Sequence, residues 1–455
     1  MERRTVALVF CAALALCALL TKPHAVSWND LSRVATIDAL VRDHTLAIDG
    51  SPFAARTEDK YRFGGRTYSD KPPALAIEGA AFAAVLARLG ITLARTPDRA
   101  VYLITLLTVG GWFAAGCAYA YAFARLLGIE RRGAVFVAAL TGLGTLALPY
   151  ATVLANHVPA GAAALAAFYH LARARAGART AAHAALGALF LTLSYAFDAS
   201  AIVFGLGAVV LLWGTPARVW AVFAAACVPV VALQLAYNAS VSTGWIPPAM
   251  NQATWSDPAS PFHRAGQSEF LFSSAGDYLR YAIYLLFGDK GLVSYTPLAL
   301  LCAYGLVRMW KAHERRIALA IAAPCVAYYA LMVAFTNDYF ALNYGERRYA
   351  DIAFVLCVAL GPALAALPRG AATVAARIAV AWSAAVAMLG ALAPFGEPRG
   401  MSGIVFAAGE LIRLEHRAPV QAALDVLAFA LVIVLVQRFW WTPTVPTSGN
   451  ARRAA

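Results

Sequence analysis

Residues 27–73 read SWNDLSRVATIDALVRDHTLAIDGSPFAARTEDKYRFGGRTYSDKPP and lie between two apolar segments. A long polar stretch between apolar segments needs a function that only polar side chains supply. Asp30, Arg33 and Lys71 fall in it, near its two ends. Ionisable groups at the level where lipid meets water indicate a site for a charged substrate carried by a lipid.

The composition predicts a helical membrane protein. Of the 455 residues, 61% are hydrophobic and 13% are charged, which leaves too few polar side chains to cover a soluble surface. Apolar runs of about 20 residues recur along the chain, and that length crosses about 30 Å of hydrocarbon. Because the runs are continuous and do not alternate, a β-barrel is not expected. We expect an all-α polytopic fold of roughly twelve (11–13) transmembrane helices.

The net charge of +13 indicates membrane topology and not nucleic-acid binding. Basic residues gather in short loops and at both ends of the chain: Arg3 and Arg4; Arg173, Arg175 and Arg179; Lys311, Arg315 and Arg316; Arg438, Arg452 and Arg453. Cytoplasmic loops carry such an excess of positive charge. We therefore expect the lipid bilayer as a partner, no nucleic acid, and both termini in the cytoplasm.

This topology divides the chain into one transmembrane domain, residues 1–441, and a disordered cytoplasmic tail, residues 442–455. The domain would carry outer loop 1 at residues 22–73 and a second large outer loop at residues 238–290. An amphipathic stretch, Tyr278–Phe287, would lie in the membrane interface.

Two segments have a less regular pattern. The first apolar helix, Thr5–Leu20, resembles a secretory signal, but Lys22-Pro23-His24 is a poor cleavage context, so we expect an uncleaved helix. Residues 134–171 are too long for one simple span, and Pro149, Asn156, His157 and Pro159 interrupt them. This predicts a broken or re-entrant helix.

Loop 1 has an internal pattern. Apolar residues at helical spacing predict an amphipathic helix over Asn29–Arg42, which Ser27 or Asn29 can cap. Asp30 and Arg33 share a face of this helix. The stretch Tyr61–Tyr68 surrounds Gly64-Gly65 and predicts a β-hairpin. The hairpin would deliver Lys71 to the start of the next membrane helix, after Pro72-Pro73.

Two motifs of loop 1 resemble the GT-C superfamily of glycosyltransferases. They are DLSR at residues 30–33 and YSDKPPAL at residues 68–75, and they are most similar to the bacterial branch related to the lipid A aminoarabinose transferase and the protein O-mannosyltransferases. Looser matches are LFGDKGL at 286–292, YTPL at 295–298 and YGERRY at 344–349.

The resemblance implies transfer of a sugar, with inversion, from a polyprenyl-phosphate donor to an acceptor hydroxyl or phosphate. The reaction would take place on the periplasmic face of a bacterial inner membrane. The acceptor could be a glycan, a lipid or a protein.

The resemblance also assigns roles to residues. Asp30 matches the acid that takes the proton of the acceptor, and Lys71 matches the lysine beside the donor phosphate. Arg33, Arg347 and Arg348 are further candidates for phosphate binding. Asp70, Glu78 and His157 are additional candidates: Glu78 as a carboxylate within a membrane helix, and His157 at a helix break.

Each of these residues also has a purely structural interpretation. Asp30 could simply favour the positive end of a helix dipole, Arg33 could pair with Asp30, and Lys71 could be an interface anchor. Glu78 could pair with Lys71. His157 could be an ordinary buried histidine.

No cofactor is predicted, and a divalent metal is left open. Asp30 is followed by Leu31 and not by a second acid, so an acidic pair for a metal is missing there. The seven cysteines form no CxxC pair and are interpreted as small core residues. Two alternatives to an enzyme remain: a transporter or flippase of a lipid-linked sugar, and a non-catalytic protein of the same fold.

Overall fold

A computed structural model of the chain describes residues 2–177, 179–251, 254, 272, 274–336, 342–396 and 401–412, with a few positions between 419 and 430. The predicted tail at residues 442–455 lies outside the described residues.

The described part of the chain is mostly helical. The first ten α-helices are α1 (Glu2–Leu20), α2 (Trp28–Arg42), α3 (Ala74–Ala87), α4 (Pro97–Thr105), α5 (Gly111–Leu126), α6 (Arg131–Leu143), α7 (Ala147–Ala151), α8 (His157–Arg175), α9 (Thr180–Phe197) and α10 (Phe204–Leu212). The other nine are α11 (Ala217–Val241), α12 (Ala275–Phe287), α13 (Leu292–Tyr295), α14 (Leu298–Lys311), α15 (Arg315–Phe335), α16 (Tyr349–Leu356), α17 (Leu360–Ala365), α18 (Ala371–Leu392) and α19 (Gly403–Ile412).

Several of these helices are long and apolar enough to cross a membrane. Within the described residues there are six such spans, or seven if the bent pair of helices from Ala275 to Lys311 is one: Glu2–Leu20, Pro97–Leu126, Thr180–Phe197, Ala217–Val241, Arg315–Phe335 and Ala371–Leu392. The chain is thus a multi-pass membrane protein. The expected number of about twelve spans stays a prediction, because other apolar helices are short or broken.

The long segment at residues 134–171 is broken, as its prolines predict. α6 ends at Leu143, α7 forms one short turn that contains Pro149, and α8 begins at His157. α8 is buried along most of its length and packs against α5, α9 and α16. The break therefore places Asn156 and His157 at the head of the most central helix.

Glycine allows α8 to approach α16 closely. A Cβ atom on Gly161 would lie 2.6 Å from the carbonyl oxygen of Asp351 and 2.7 Å from that of Ala350. Side chains do not tolerate such distances, so only glycine fits. The contact fixes α16 against the first turns of α8.

In loop 1, α2 begins one residue before the predicted start. Ser27 is its N-cap, and its Oγ accepts a hydrogen bond from the backbone N–H of Asp30 at 3.1 Å. The expected amphipathic helix is wrong in one respect: every residue from Asn29 to Ala39 is buried. Contacts to other parts of loop 1 and to the α7–α8 connection cover the polar side of α2.

The predicted hairpin is present. Strands β1 (Lys60–Phe63) and β2 (Arg66–Ser69) pair antiparallel, and Tyr61 lies opposite Tyr68. Gly64 and Gly65 have φ values of +57° and +77°, the left-handed conformation that a two-residue hairpin turn requires and glycine adopts without strain. The Tyr61 hydroxyl donates to the carbonyl oxygen of Val241 at 3.1 Å, which anchors the hairpin on the end of α11.

The predicted second outer loop, residues 238–290, is partly helical where the structure describes it, and residues 255–271 of this loop lie outside the described residues. α11 continues to Val241, and α12 covers the expected amphipathic stretch. On α12, Leu279, Ile283 and Phe287 are exposed, whereas Tyr281 and Leu285 are buried. Exposed apolar side chains on one face suit a helix that contacts lipid.

Candidate active site

A cluster of charged side chains joins loop 1 to the segment that precedes α16. Electrostatic interactions connect its members, which are Asp30, Arg33, Asp59, Asp70, Lys71 and Arg347. We call these six residues the charged cluster. The fold thus brings Asp30, Arg33 and Lys71 together with Arg347, one of the two arginines that the sequence singles out.

Asp30 lies in the first turn of α2 and is 1% exposed. Its Oδ2 accepts a hydrogen bond from the backbone N–H of Val26 at 3.1 Å, and its Oδ1 is buried with no hydrogen-bond partner in the described part of the chain. Burial raises the pKa of Asp30 to about 6, against the opposite effects of the Val26 hydrogen bond and the Arg33 charge. A carboxylate of this kind can accept a proton near neutral pH.

Arg33 is also 1% exposed, and neutral oxygen atoms hold its guanidinium. Nη1 donates to the carbonyl oxygens of Asn29 at 3.0 Å and Leu154 at 3.2 Å, and also to Asn29 Oδ1. Nη2 donates to Asn156 Oδ1, while Nε is buried and has no hydrogen-bond partner among the residues that the structure describes. Burial lowers the pKa of Arg33 to about 10, so the side chain stays positively charged at neutral pH.

Lys71 lies between two carboxylates. Its Nζ is 2.8 Å from Asp59 Oδ2 and 3.0 Å from Asp70 Oδ2. For Asp59, burial acts to raise the pKa, but the Lys71 charge outweighs it and the pKa is lowered. For Asp70, burial outweighs the Lys71 charge and the pKa is raised. Lys71 is therefore the most compensated cation of the charged cluster.

Asp59 is not among the site residues that the sequence predicts, although the register of the predicted hairpin indicates its position. Lys60 pairs with Ser69 at the open end of the hairpin, so the next residues outward, Asp59 and Asp70, come to lie opposite each other. The Ser32 hydroxyl contacts Ser69 Oγ at 2.6 Å and the Asp59 carbonyl oxygen at 2.5 Å. These contacts fasten the open end of the hairpin to α2.

The two neighbouring arginines before α16 differ. Within the described segments, Arg347 Nε is buried without a hydrogen-bond partner, and Arg347 acts electrostatically on Arg33 and Asp59. Arg348 Nη1 lies 3.2 Å from Oε1 of the buried Glu346, which also accepts the Arg348 backbone N–H at 3.0 Å. Arg347 thus belongs to the charged cluster, while Arg348 has its charge offset by Glu346.

A second polar group lies beside the charged cluster, and Asn156 connects the two. Asn156 Nδ2 donates to Asp198 Oδ2 at 2.7 Å and to the Phe197 carbonyl oxygen at 3.1 Å. His157 Nδ1 is 2.7 Å from Asp351 Oδ2 and 3.3 Å from Asp198 Oδ2. Sequence analysis named His157 but missed Asp351, which is 194 positions away in the chain.

Glu78 lies apart from Lys71. Its two carboxylate oxygens accept hydrogen bonds from Trp112 Nε1 at 3.2 and 3.1 Å. The expected alternative of a Glu78–Lys71 pair is therefore wrong. Lys71 contacts Asp59 and Asp70, and Glu78 contacts Trp112 of α5.

The second polar group suits a divalent cation by its chemistry. His157, Asp198 and Asp351 each offer one ligand atom, and these atoms lie within 4.8 Å of one another. Asp351 Oδ1 is buried without a partner, and Tyr328 donates to Asp351 Oδ2 at 2.7 Å. One imidazole and two hydrogen-bonded carboxylates are ligands that zinc accepts.

Comparison with known proteins gives matches in structure alone. No known family profile and no curated protein sequence matches the chain. ArnT from Cupriavidus metallidurans, solved with undecaprenyl phosphate bound, superimposes with a TM-score of 0.51 at 15% identity, over 95% of this chain and 76% of ArnT. The chain has the GT-C fold.

Two further GT-C structures are of the oligosaccharyltransferase AglB from Archaeoglobus fulgidus. One, in complex with an inhibitory peptide and a dolichol-phosphate, gives a TM-score of 0.49 at 12% identity and covers 93% of this chain and 59% of AglB. The other, with zinc and sulfate, gives 0.48 at 12% identity and covers 90% and 55%. The superposition on ArnT confirms, at the level of fold, the resemblance found in loop 1.

Proposed function

We propose that this protein is a membrane glycosyltransferase that uses a polyprenyl-phosphate sugar donor on the periplasmic face of a bacterial inner membrane. One observation carries the proposal. The charged cluster buries an aspartate oxygen, Asp30 Oδ1, and two guanidinium nitrogens, Nε of Arg33 and Arg347, that lack hydrogen-bond partners among the described residues. A GT-C relative solved with undecaprenyl phosphate supports a lipid phosphate as the missing partner.

In the proposed reaction, Asp30 takes the proton of the acceptor hydroxyl. The acceptor oxygen forms a bond to the anomeric carbon while the bond from that carbon to the phosphate oxygen breaks. The electron pair of the broken bond leaves with the polyprenyl phosphate. This single displacement inverts the anomeric carbon and needs no covalent intermediate.

The cations of the charged cluster would stabilise the leaving phosphate. Arg33 and Arg347 each have a donor without a partner, and Lys71 adds charge although Asp59 and Asp70 offset part of it. Fixed cations in a site shielded from water act strongly on charge that develops on a leaving group. Arg348 would contribute through its field.

A divalent cation, when bound, would be held by His157, Asp198 and Asp351 and would add positive charge near Arg348. Asp198 already interacts electrostatically with Arg348. The proton transfer to Asp30 does not depend on this group.

The test is sugar transfer by the purified protein in liposomes that contain a polyprenyl-phosphate sugar together with an envelope extract as the source of acceptors. Free polyprenyl phosphate should accumulate, whereas a flippase or a non-catalytic protein would release none. An amide cannot accept the proton of the acceptor, so we expect Asp30→Asn to transfer sugar about a hundredfold more slowly, or slower still.

The matched control is Asp43→Asn. Asp43 follows α2 and is exposed, and its carboxylate contacts the side chain of the neighbouring Arg42. Transfer should therefore stay normal. A folded Asp30→Asn protein with the normal rate would contradict the role of the base. No release of polyprenyl phosphate by the wild-type protein would contradict the enzyme itself.

A further inference from the structure

We propose that Asn29 and Asn156 form a neutral clamp that orients Arg33 and keeps its positive charge available to the donor phosphate. This inference rests on the proposed function and adds two positioning residues to it. Neither asparagine is predicted to touch the substrate; both act through Arg33.

The chemistry of the acceptors carries the inference. All the oxygens that Arg33 binds are neutral: two of Asn29, one of Leu154 and one of Asn156. Carboxylates are close by, because Asp30, Asp59 and Asp70 act on Arg33 electrostatically, yet none accepts a hydrogen bond from it among the described residues. Lys71 and Arg348, in contrast, contact carboxylates directly.

Neutral acceptors matter because Arg33 is buried. A buried cation needs hydrogen bonds to replace lost water. Carboxylates would supply them but would also cancel the charge. Amide and carbonyl oxygens supply the hydrogen bonds and leave the charge for a later anion.

The surroundings fix the orientation of the Asn156 amide. Its Nδ2 donates to Asp198 Oδ2 at 2.7 Å and to the Phe197 carbonyl oxygen at 3.1 Å, so its Oδ1 faces Arg33. A flipped amide would place N–H groups against the guanidinium and an oxygen against Asp198. Only a neutral group with both donors and an acceptor satisfies a cation on one side and a carboxylate on the other.

The clamp also selects which edge of Arg33 is free. Among the described residues, Nη1 donates to three oxygens and Nη2 to one, and Nε–H has no partner. Arginine carries five N–H groups, two of them on Nη2, so Nε and Nη2 retain one donor each. Two adjacent donors are what arginine uses to bind a phosphate through two parallel hydrogen bonds.

The experiment measures binding of undecaprenyl phosphate, in detergent, to the purified full-length protein. Asn29→Asp is isosteric, keeps an acceptor for Arg33 and places a carboxylate against it. We expect affinity to fall about ten- to a hundredfold, the effect of losing one charged hydrogen bond, while the unfolding temperature stays equal or rises. Asn156→Leu removes the second arm of the clamp and should weaken binding similarly.

The control is Arg42→Gln, which lowers the charge of α2 by the same amount as Asn29→Asp. Arg42 is exposed and contacts Asp38, Asp43 and the Gly50 carbonyl oxygen, none of which belongs to the charged cluster, so its loss should change affinity less than twofold. Normal binding by folded Asn29→Asp would overturn the clamp, as would a loss of affinity that only follows a loss of stability.

The outcome separates the clamp from the proposed function. If the wild-type protein binds undecaprenyl phosphate and Asn29→Asp does not, but no sugar is ever transferred, the clamp is supported and the proposed glycosyltransferase activity is contradicted. If the wild-type protein does not bind this lipid at all, both proposals are wrong.

Discussion

Asp30 combines burial, one backbone hydrogen bond through Oδ2 and an Oδ1 without a partner. Burial raises its pKa to about 6, and a base works best when its pKa lies near the operating pH. If Asp30 is the base of the proposed reaction, it is charged and active above that pKa and protonated and inactive below it.

This gives a pH dependence for the transfer reaction. We expect kcat/KM to be constant above about pH 7, to fall through about pH 6, and to drop about tenfold for each further pH unit. The measurement is the rate of polyprenyl-phosphate release between pH 5 and 8, with unfolding followed in parallel. A flat profile from a folded protein would argue against Asp30 as the base.

At the scale of elements, the approach of α8 to α16 positions half of the candidate site. Gly161 lets the backbone of α16 lie against α8, and Arg347 and Arg348 directly precede α16. Any group that separates the two helices should therefore move these arginines away from loop 1.

We predict that Gly161→Ala impairs both stability and transfer. The added methyl group has no space, and overpacking of this kind costs about 1–3 kcal/mol. Thermal unfolding in detergent and the transfer assay measure the two effects. In the control, Gly205→Ala, the new Cβ meets no atom within 4 Å, so that variant should equal or exceed the wild-type stability. Normal stability and transfer in Gly161→Ala would refute the packing argument.

Sequence patterns predict the elements of loop 1 well because their causes are local. Ser27 caps α2 three residues away, and Gly64-Gly65 turns the hairpin within one strand pair. The burial of α2 was missed because its causes are distant. Arg33 contacts Leu154 and Asn156, which are 121 and 123 positions away, and no helical periodicity reports such contacts.

The same distinction applies to the candidate site. Asp30, Arg33 and Lys71 stand out by motif, and Asp59 could have been found from the hairpin register. Asp351 and Tyr328 could not, because they meet His157 only through the packing of α8, α15 and α16. Arg347 and Arg348 are adjacent in sequence, and only the position of Glu346 distinguishes them.

At the scale of the molecule, orientation across the membrane follows from charge. Loop 1 precedes α3. Arg88 and Arg95 in the connection after α3, and Arg99 in the first turn of α4, lie at the opposite end of α3. The positive-inside rule puts the arginine-rich end in the cytoplasm. Loop 1, with the charged cluster, would then face the periplasm.

Single cysteines test this orientation. Arg66 in the hairpin and Arg95 beyond α3 are both exposed, so we expect a membrane-impermeant maleimide to label Arg66→Cys in spheroplasts and Arg95→Cys only after permeabilisation. The seven native cysteines lie in apolar segments, and only Cys11 is exposed, which keeps the background low. The opposite labelling pattern would invert the proposed topology.

The two acids around Lys71 have a consequence for sequence variation. Asp59 and Asp70 flank the hairpin, and one ammonium group compensates both. A lineage that exchanged Lys71 for a neutral residue would leave two carboxylates facing each other, so it would have to lose an acid as well. The spacing Asp59, Asp70-Lys71 should therefore change as a unit among relatives. A search of genomes for Asp59, Asp70 and Lys71 at this spacing, together with Asp30 and Arg33, should find related sequences whose overall identity is too low to group them.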